Sequence, residues 1–298
     1  MFLGLLEGLK IGDSSNAVTH FEMCRKLLTT RLSQPGVLGD AALVKLYRVV
    51  AECIIYNLAA LSPFHTTIDL VVTCWGTSFD CLFPGSDHKY SPFLGGFHDV
   101  YRLMLRINMH LRTDRPGTDQ HSSPGLESLW AELRALETKM PTSYQREDGT
   151  GAAQLYKAKH KISVLALHVH LLKVSYHATT PSNPLVRTCV DVAVGILREQ
   201  DIREPGNPAL RWPLTILACA AQQEDEFRFL VGRMSELEAI LDLSNSSKIK
   251  FAIEFLTQHR AQELPMPLYT DRGPWMPTTQ LDFLLEPQLL EGAKIPGS

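Results

Sequence analysis

The sequence has no run of 18 apolar residues, so no transmembrane helix is expected and no membrane partner. It has no Cys-x-x-Cys pair, which argues against the commonest zinc frameworks. It has no Gly-x-Ser-x-Gly elbow, no phosphate-binding Walker loop, no dinucleotide fingerprint and no His-Glu-x-x-His. It has no basic surplus: 29 Lys and Arg stand against 32 Asp and Glu, a net charge of −3. The pI is near 6.4. A free-standing nucleic-acid binder ordinarily carries a basic face, so intrinsic sequence-specific DNA binding is not expected. The N-terminus, MFLGLLEGLKIGD, lacks a basic lead-in and a small-residue cleavage site, and Glu7 interrupts it, so it does not read as a secretory signal. A helical pattern is under way within the first residues, which suggests a chain that starts inside a larger architecture or at a trimmed first helix.

What is present points to helices. The 298 residues are 45% hydrophobic and 20% charged, enough to build a sizeable core as one large or two ordinary domains. Ser14 and Ser15 offer a cap for a helix that stops before Pro35. Asp40 stands before AALVKLYRVVAECIIYNLAAL, where Leu43, Leu46, Tyr47, Val50, Ile54 and Leu58 recur at threes and fours. Thr66 to Phe83 is ambiguous between helix and strand, and its length favours helix. Further helices are predicted over Gly96–Leu111, from Pro124 with Leu126, Leu129, Trp130, Leu133 and Leu136 as its stripe, over Gly151–His177, and from Pro184 to about Glu199. Asn207-Pro208 reads as another start, and Arg211-Trp212-Pro213 as an interruption, with a kink or a restart expected there. Leu214 to Ala221 is almost wholly apolar and suits a helix buried among others. Glu224-Asp225-Glu226 fits the first turn of the next helix, and Ser246-Ser247 the start of a last amphipathic one. From Leu264 the chain is rich in proline: Pro265, Pro267, Pro274, Pro277, Pro287 and Pro296. The expected fold is all-α, with packed antiparallel helix pairs forming one large helical domain over 1–263 and a Pro-rich C-terminal tail over 264–298.

Candidate chemistry is sparse. The six cysteines, Cys24, Cys53, Cys74, Cys81, Cys189 and Cys219, are scattered, several in apolar runs, and read as buried thiols of a reducing compartment. Cys74 and Cys81 have a spacing known from binuclear zinc clusters, but their flanks are Val, Trp, Leu and Phe, and core thiols are the plainer account. His160, His168, His170 and His177 share one predicted helix with no pair at i,i+4, so they read as half-exposed or core-edge histidines rather than ligands. Trp212, Trp130 and Trp75 could line an apolar pocket or simply fill the core. Trp212, with Pro213 and Cys219, is the one candidate site, either a core anchor or a pocket wall. No catalytic residue, cofactor or metal is expected. Residue chemistry alone reaches a helical body with no visible active site.

Three stretches go further. Ser91-Pro92-Phe93-Leu94-Gly95-Gly96-Phe97 leads into Val100-Tyr101-Arg102-Leu103. Leu155-Tyr156-Lys157-Ala158 opens the long helix. Trp212-Pro213-Leu214-Thr215-Ile216-Leu217-Ala218-Cys219-Ala220-Ala221 is similar to a Trp-Pro-Leu-Phe-Ile-Ala-Gly-Cys motif, departing from it at Ala218, which is followed directly by Cys219. In this order they resemble the regulatory domain of fungal zinc-cluster transcription factors, over about Leu6 to Arg260 and without the six-cysteine DNA-binding module. The resemblance implies a non-enzymatic helical domain in transcription regulation, acting in the nucleus, with a metabolic or secondary-metabolite gene set as its target. It implies protein partners of the transcription machinery, a small-molecule effector, and room for a dimer. The alternative is a helical co-regulator or metabolite-binding protein working by protein–protein contact, with no direct DNA role and a cytoplasmic location.

Overall fold

The computed structural model describes residues 23–24, 26–34, 36, 39–61, 82, 94, 96–113, 124–138, 151–176, 179–199, 210–240, 253–254, 256–258 and 260–262. Among them there is no strand. The helices, in chain order, are α1 (Ala41–Leu61), α2 (His98–Thr113), α3 (Pro124–Thr138), α4 (Gly151–Ser175), α5 (Pro184–Glu199), α6 (Arg211–Ala220) and α7 (Glu224–Ile240). Residues 23–32 and 253–261 are also helical where described. The fold is all-α, as the periodicity predicts. The expected helix caps at Ser14 and Ser15 and at Asn207-Pro208, and the ambiguous stretch 66–83 apart from the buried Leu82, lie outside the described residues, as does the 263/264 boundary.

Several starts follow their local chemistry. Asp40 Oδ1 accepts the amide protons of Ala42 at 2.9 Å and Leu43 at 3.2 Å, occupying two donors that the first turn of α1 would leave unbonded. Asn183 does the same for α5 through Leu185 N–H at 2.9 Å, with Pro184 as the first helical residue. Ahead of α2, the amide of Phe97 bonds back to Leu94 O at 2.9 Å, and Gly96 inside that turn sits at φ 82°, where a side chain would be strained. At α7, Glu226 reaches back to accept the amide of Gln223 at 3.2 Å, half of a capping box. That explains the acidic start of α7 without any catalytic role.

The helices are arranged around α4. It packs against α2, α3, α5 and α6, while α1 packs on α2 and α7 on α6. At about 3.6 residues per turn, Tyr156, Val164, Leu167, Leu171 and Val174 fall on one face of α4 and Ile162, Leu165, Ala166, Val169 and Leu172 on the opposite face. The first set belongs to a core shared with α1, α2 and α3, through Ile54, Leu103, Ile107 and Leu133 among others. The second set belongs to a core shared with α5, α6 and α7, through Val190, Leu217, Phe227 and Leu230 among others. One helix is therefore the shared wall of two cores.

One expectation about a face needs correction. Leu46, placed on the apolar stripe of α1, is 56% exposed; the apolar side chains described as buried are Ala51, Cys53, Ile54, Ile55 and Tyr56, one to three turns further on. At Trp212-Pro213, where a kink or a restart is expected, a helix starts, and residues 200–209 before it lie outside the described residues. α6 begins at Arg211 with Leu210 at its N-cap, so Pro213 lies in the first turn, where its missing N–H has no helical carbonyl to bond.

The two-sided burial of α4 predicts unequal tolerance along it. Leu171→Ala should destabilise by about 2–5 kcal/mol through lost transfer energy and a residual cavity. Lys161→Ala, on the exposed edge, should stay within about 0.5 kcal/mol of wild type. Urea melts followed by circular dichroism compare the two; equal midpoints would contradict the arrangement.

Candidate functional site

Between its two apolar faces, α4 has two narrow edges, and both are polar. One edge carries Lys157, Lys161, His168 and Ser175, and all but Ser175 reach the surface. The other carries Lys159, Ser163 and His170, which are buried. A tryptophan sits at each edge.

At the first edge, Trp130 of α3 donates its indole N–H to Ser175 Oγ at 3.1 Å, and Ser175 Oγ donates in turn to Leu171 O at 2.7 Å. The Trp130 ring lies 5.9 Å from that of His168, whose Nε2 is 2.9 Å from Glu137 Oε1. At the buried edge, Trp212 of α6 meets the His170 ring nearly perpendicular, at 88° and 6.0 Å between centroids. His170 Nε2 lies 3.1 Å from Asn108 Oδ1 of α2. A carbonyl oxygen can only accept, so the imidazole is the Nε2–H form and donates. Trp130 and Trp212 are both half-buried and both pack against both cores. They stand on opposite edges of α4 and do not line one pocket; Trp75 lies outside the described residues.

Trp212 thus occupies a joint where α2, α4 and α6 meet. Pro213 is buried behind it in the first turn of α6. Cys219, two turns on, is buried among Leu214, Leu217 and Ala218 in the second core.

His170 departs from the expected core-edge placement. It is fully buried, and burial pushes its pKa down to about 3. Burial likewise lowers that of His160, against a smaller opposing effect of Asp99. His160 packs with the Phe97 ring at 5.9 Å, a contact between α4 and the turn before α2, and stacks on Tyr156 of its own helix at 6.3 Å. His177 lies outside the described residues. His170 as a central residue was not legible from the sequence: a histidine spaced among leucines looks the same whether its face meets water or another helix.

The described cysteines are buried thiols. Cys24, Cys53, Cys189 and Cys219 are buried and unbridged. Burial pushes Cys189 up to about 11, and also raises Cys24. A thiol held protonated is a poor nucleophile and a poor metal ligand. Among the described residues no group of three or more His, Cys, Asp or Glu could hold a metal ion, and no helix is long and apolar enough to cross a membrane. Cys74 and Cys81 lie outside the described residues.

The described residues form a helical body with two polar seams between its two cores, each closed by a tryptophan. A model of the fungal specific transcription factor domain matches residues 1–257. The chain belongs to that family. No curated protein matches the chain, and no solved structure matches it. The Trp212 stretch, the Gly96 turn and the opening of α4 all lie inside the matched region. The family is one of transcription regulation and is not an enzyme class.

Two outcomes follow. In the unfolded chain His170 takes up a proton near 6.5; in the folded chain it does not until about 3. Between those values the unfolded state holds more protons, so stability falls as pH falls, by up to about 1.4 kcal/mol per pH unit from this group. Urea melts at pH 7 and pH 5 should show a steeper loss for wild type than for His170→Gln; parallel losses would contradict the buried neutral imidazole. Trp212→Ala should destabilise by about 2–4 kcal/mol, somewhat less than for a fully buried tryptophan. Superimposable melts followed by circular dichroism would instead move Trp212 to a surface or ligand-lining role.

Proposed function

We propose that this chain is the helical regulatory body of a fungal zinc-cluster-type transcription factor, and that residues 1–298 do not themselves read a DNA sequence. The family match over residues 1–257 carries the regulatory part of this reading. The mildly acidic balance, net charge −3, supports the second part. The proposed body spans 1–263 and the proposed tail 264–298. Its place of action is the nucleus, and its target a metabolic or secondary-metabolite gene set.

In this reading the joint on α4 is the regulatory element. Trp212, seated by Pro213 in a rigid first turn and followed by the close-packed Cys219 region, anchors the second core to the first. A protein partner of the transcription machinery, or a small-molecule effector, that binds one arrangement of the two cores better than another shifts the population toward it. The chain does no chemistry of its own.

Fusing the full chain to an unrelated DNA-binding module tests the reading. The fusion should change expression of a reporter carrying that module's site, and Trp212→Ala should abolish the change while the module still occupies the site. Reporter output equal to that of the module alone would overturn the regulatory role. Separately, a gel shift at physiological salt should show no complex that survives competitor DNA; a competitor-resistant complex would show that this chain contains a DNA-reading surface.

A further inference from the structure

The connection between α4 and α5 carries two adjacent threonines, Thr179 and Thr180, followed by Pro181. The structure treats the two differently. Thr179 is buried and tied down. Its amide donates to Tyr176 O at 2.8 Å and its Oγ1 to Leu172 O at 3.4 Å, while Lys173 Nζ donates to its carbonyl at 3.2 Å. All three partners lie in or just after the last turns of α4. Thr180 is exposed and outside any helix. Its Oγ1 meets the Oγ of Ser182, also exposed, at 2.8 Å. Its carbonyl accepts the amide of Asn183 at 3.0 Å, which places Pro181 at the second position of a tight turn. Asn183 in turn caps α5. The turn is therefore fixed to a helix at each end, and the Thr180 hydroxyl stands at the surface between them.

Other exposed hydroxyls are placed otherwise. Those of Thr30, Thr188 and Ser235 sit on helices and donate to the carbonyl four residues back. Thr180 precedes a proline, whose ring disfavours a helical predecessor and leaves it extended. Protein kinases take their acceptor residue on extended backbone, and one class reads a proline directly after it. Among the described residues, Thr180 is the one hydroxyl directly followed by proline.

We propose that Thr180 is a phosphorylation site for a proline-directed protein kinase, and that the turn stays folded around the phosphate. In the kinase, Thr180 Oγ1 attacks the γ-phosphorus of magnesium-bound ATP. The bond from that phosphorus to its bridging oxygen breaks, ADP leaves, and the Oγ1 proton passes to the kinase's catalytic aspartate. The product adds about two negative charges at neutral pH. Esterified Oγ1 can no longer donate, so the neighbouring Ser182 hydroxyl becomes the donor to the phosphothreonine. The Lys173 ammonium, bonded to the carbonyl of the peptide that leads into Thr180, offsets part of the new charge. The charge would fall on the link between α4, the shared wall, and α5 of the second core. This inference does not depend on the regulatory reading.

Incubating the full chain with ATP, magnesium and a purified proline-directed serine/threonine kinase, then mapping phosphate by mass spectrometry, tests it. Phosphate should appear on Thr180 of the folded chain, persist in Thr180→Ser and vanish from that position in Thr180→Val. Pro181→Ala should slow labelling of Thr180 by about tenfold or more, the order lost when an enzyme pocket is deprived of an apolar group it reads. Phosphate on Thr179 or Ser182 in place of Thr180, on Thr180 only after unfolding in urea, or not on Thr180 at all would overturn the site. Should Pro181→Ala not fold, a kinase that reads basic residues instead of proline is compared on wild type, and equal labelling of Thr180 by both overturns it. Urea melts of the modified and unmodified chains read the second half of the proposal. The modified midpoint should be equal or higher; a lower one overturns a turn that stays folded.

Discussion

The structure depends on α4 being buried on two opposite sides. A surface helix needs one apolar stripe, and one core satisfies it. α4 has two such stripes, Val164 with Leu167 and Leu171 on one side, Leu165 with Val169 and Leu172 on the other. Water cannot cover both, so two groups of helices must close over it. α2 and α3 close one side and α5 and α6 the other. The separation of the body into two cores follows from that one constraint.

Two opposed apolar faces leave two seams, and seams between cores are where polar groups collect. On the side of α3, Trp130 and Ser175 close the seam with a hydrogen bond while His168 and Glu137 meet at the surface. On the other side Trp212, His170 and Asn108 close it away from water. An indole suits such a place because one large apolar body can touch both cores while its edge or N–H meets a polar partner. The buried seam is the costlier one. Its imidazole must stay neutral, which links the joint between the cores to acidity below the physiological range. Between α5 and α7 the body is tied instead by the Arg187 fork on Glu226, at 3.3 and 3.4 Å, and by Arg233, which donates to Leu197 O at 2.7 Å.

The local signals were largely legible. Asp40, Asn183-Pro184 and Glu224-Asp225-Glu226 mark helix starts because side-chain oxygens or fixed φ angles act within one turn, with no need of the rest of the chain. Gly95-Gly96 was readable as a junction for the same reason. The Trp212-Pro213 pair left a kink and a restart open, and the structure has a helix starting there. Proline disfavours helix at the preceding residue, yet in a first turn it removes no bond, and whether a proline stands in a first turn or an interior one depends on where the helix begins. The misplaced Leu46 is of the same type: a leucine at helical spacing belongs to the stripe or beside it according to the angle at which the neighbouring helix crosses.

The sequence by itself determined that this chain is helical, where most of its helices begin, and which family it belongs to. Those depend on caps, periodicity and short ordered motifs, all properties of residues near one another in the chain. Only the tertiary structure decided that α4 is the common wall, that Trp130 and Trp212 stand on opposite edges of it, and that His170 is internal and neutral. Arg260 belongs to the same group, since it donates to the carbonyls of Ala221 and Gln222, far earlier in the chain. The reason is physical. Burial and pairing are set by which helix faces which, and a side chain's spacing along its own helix carries no record of its neighbour across the core.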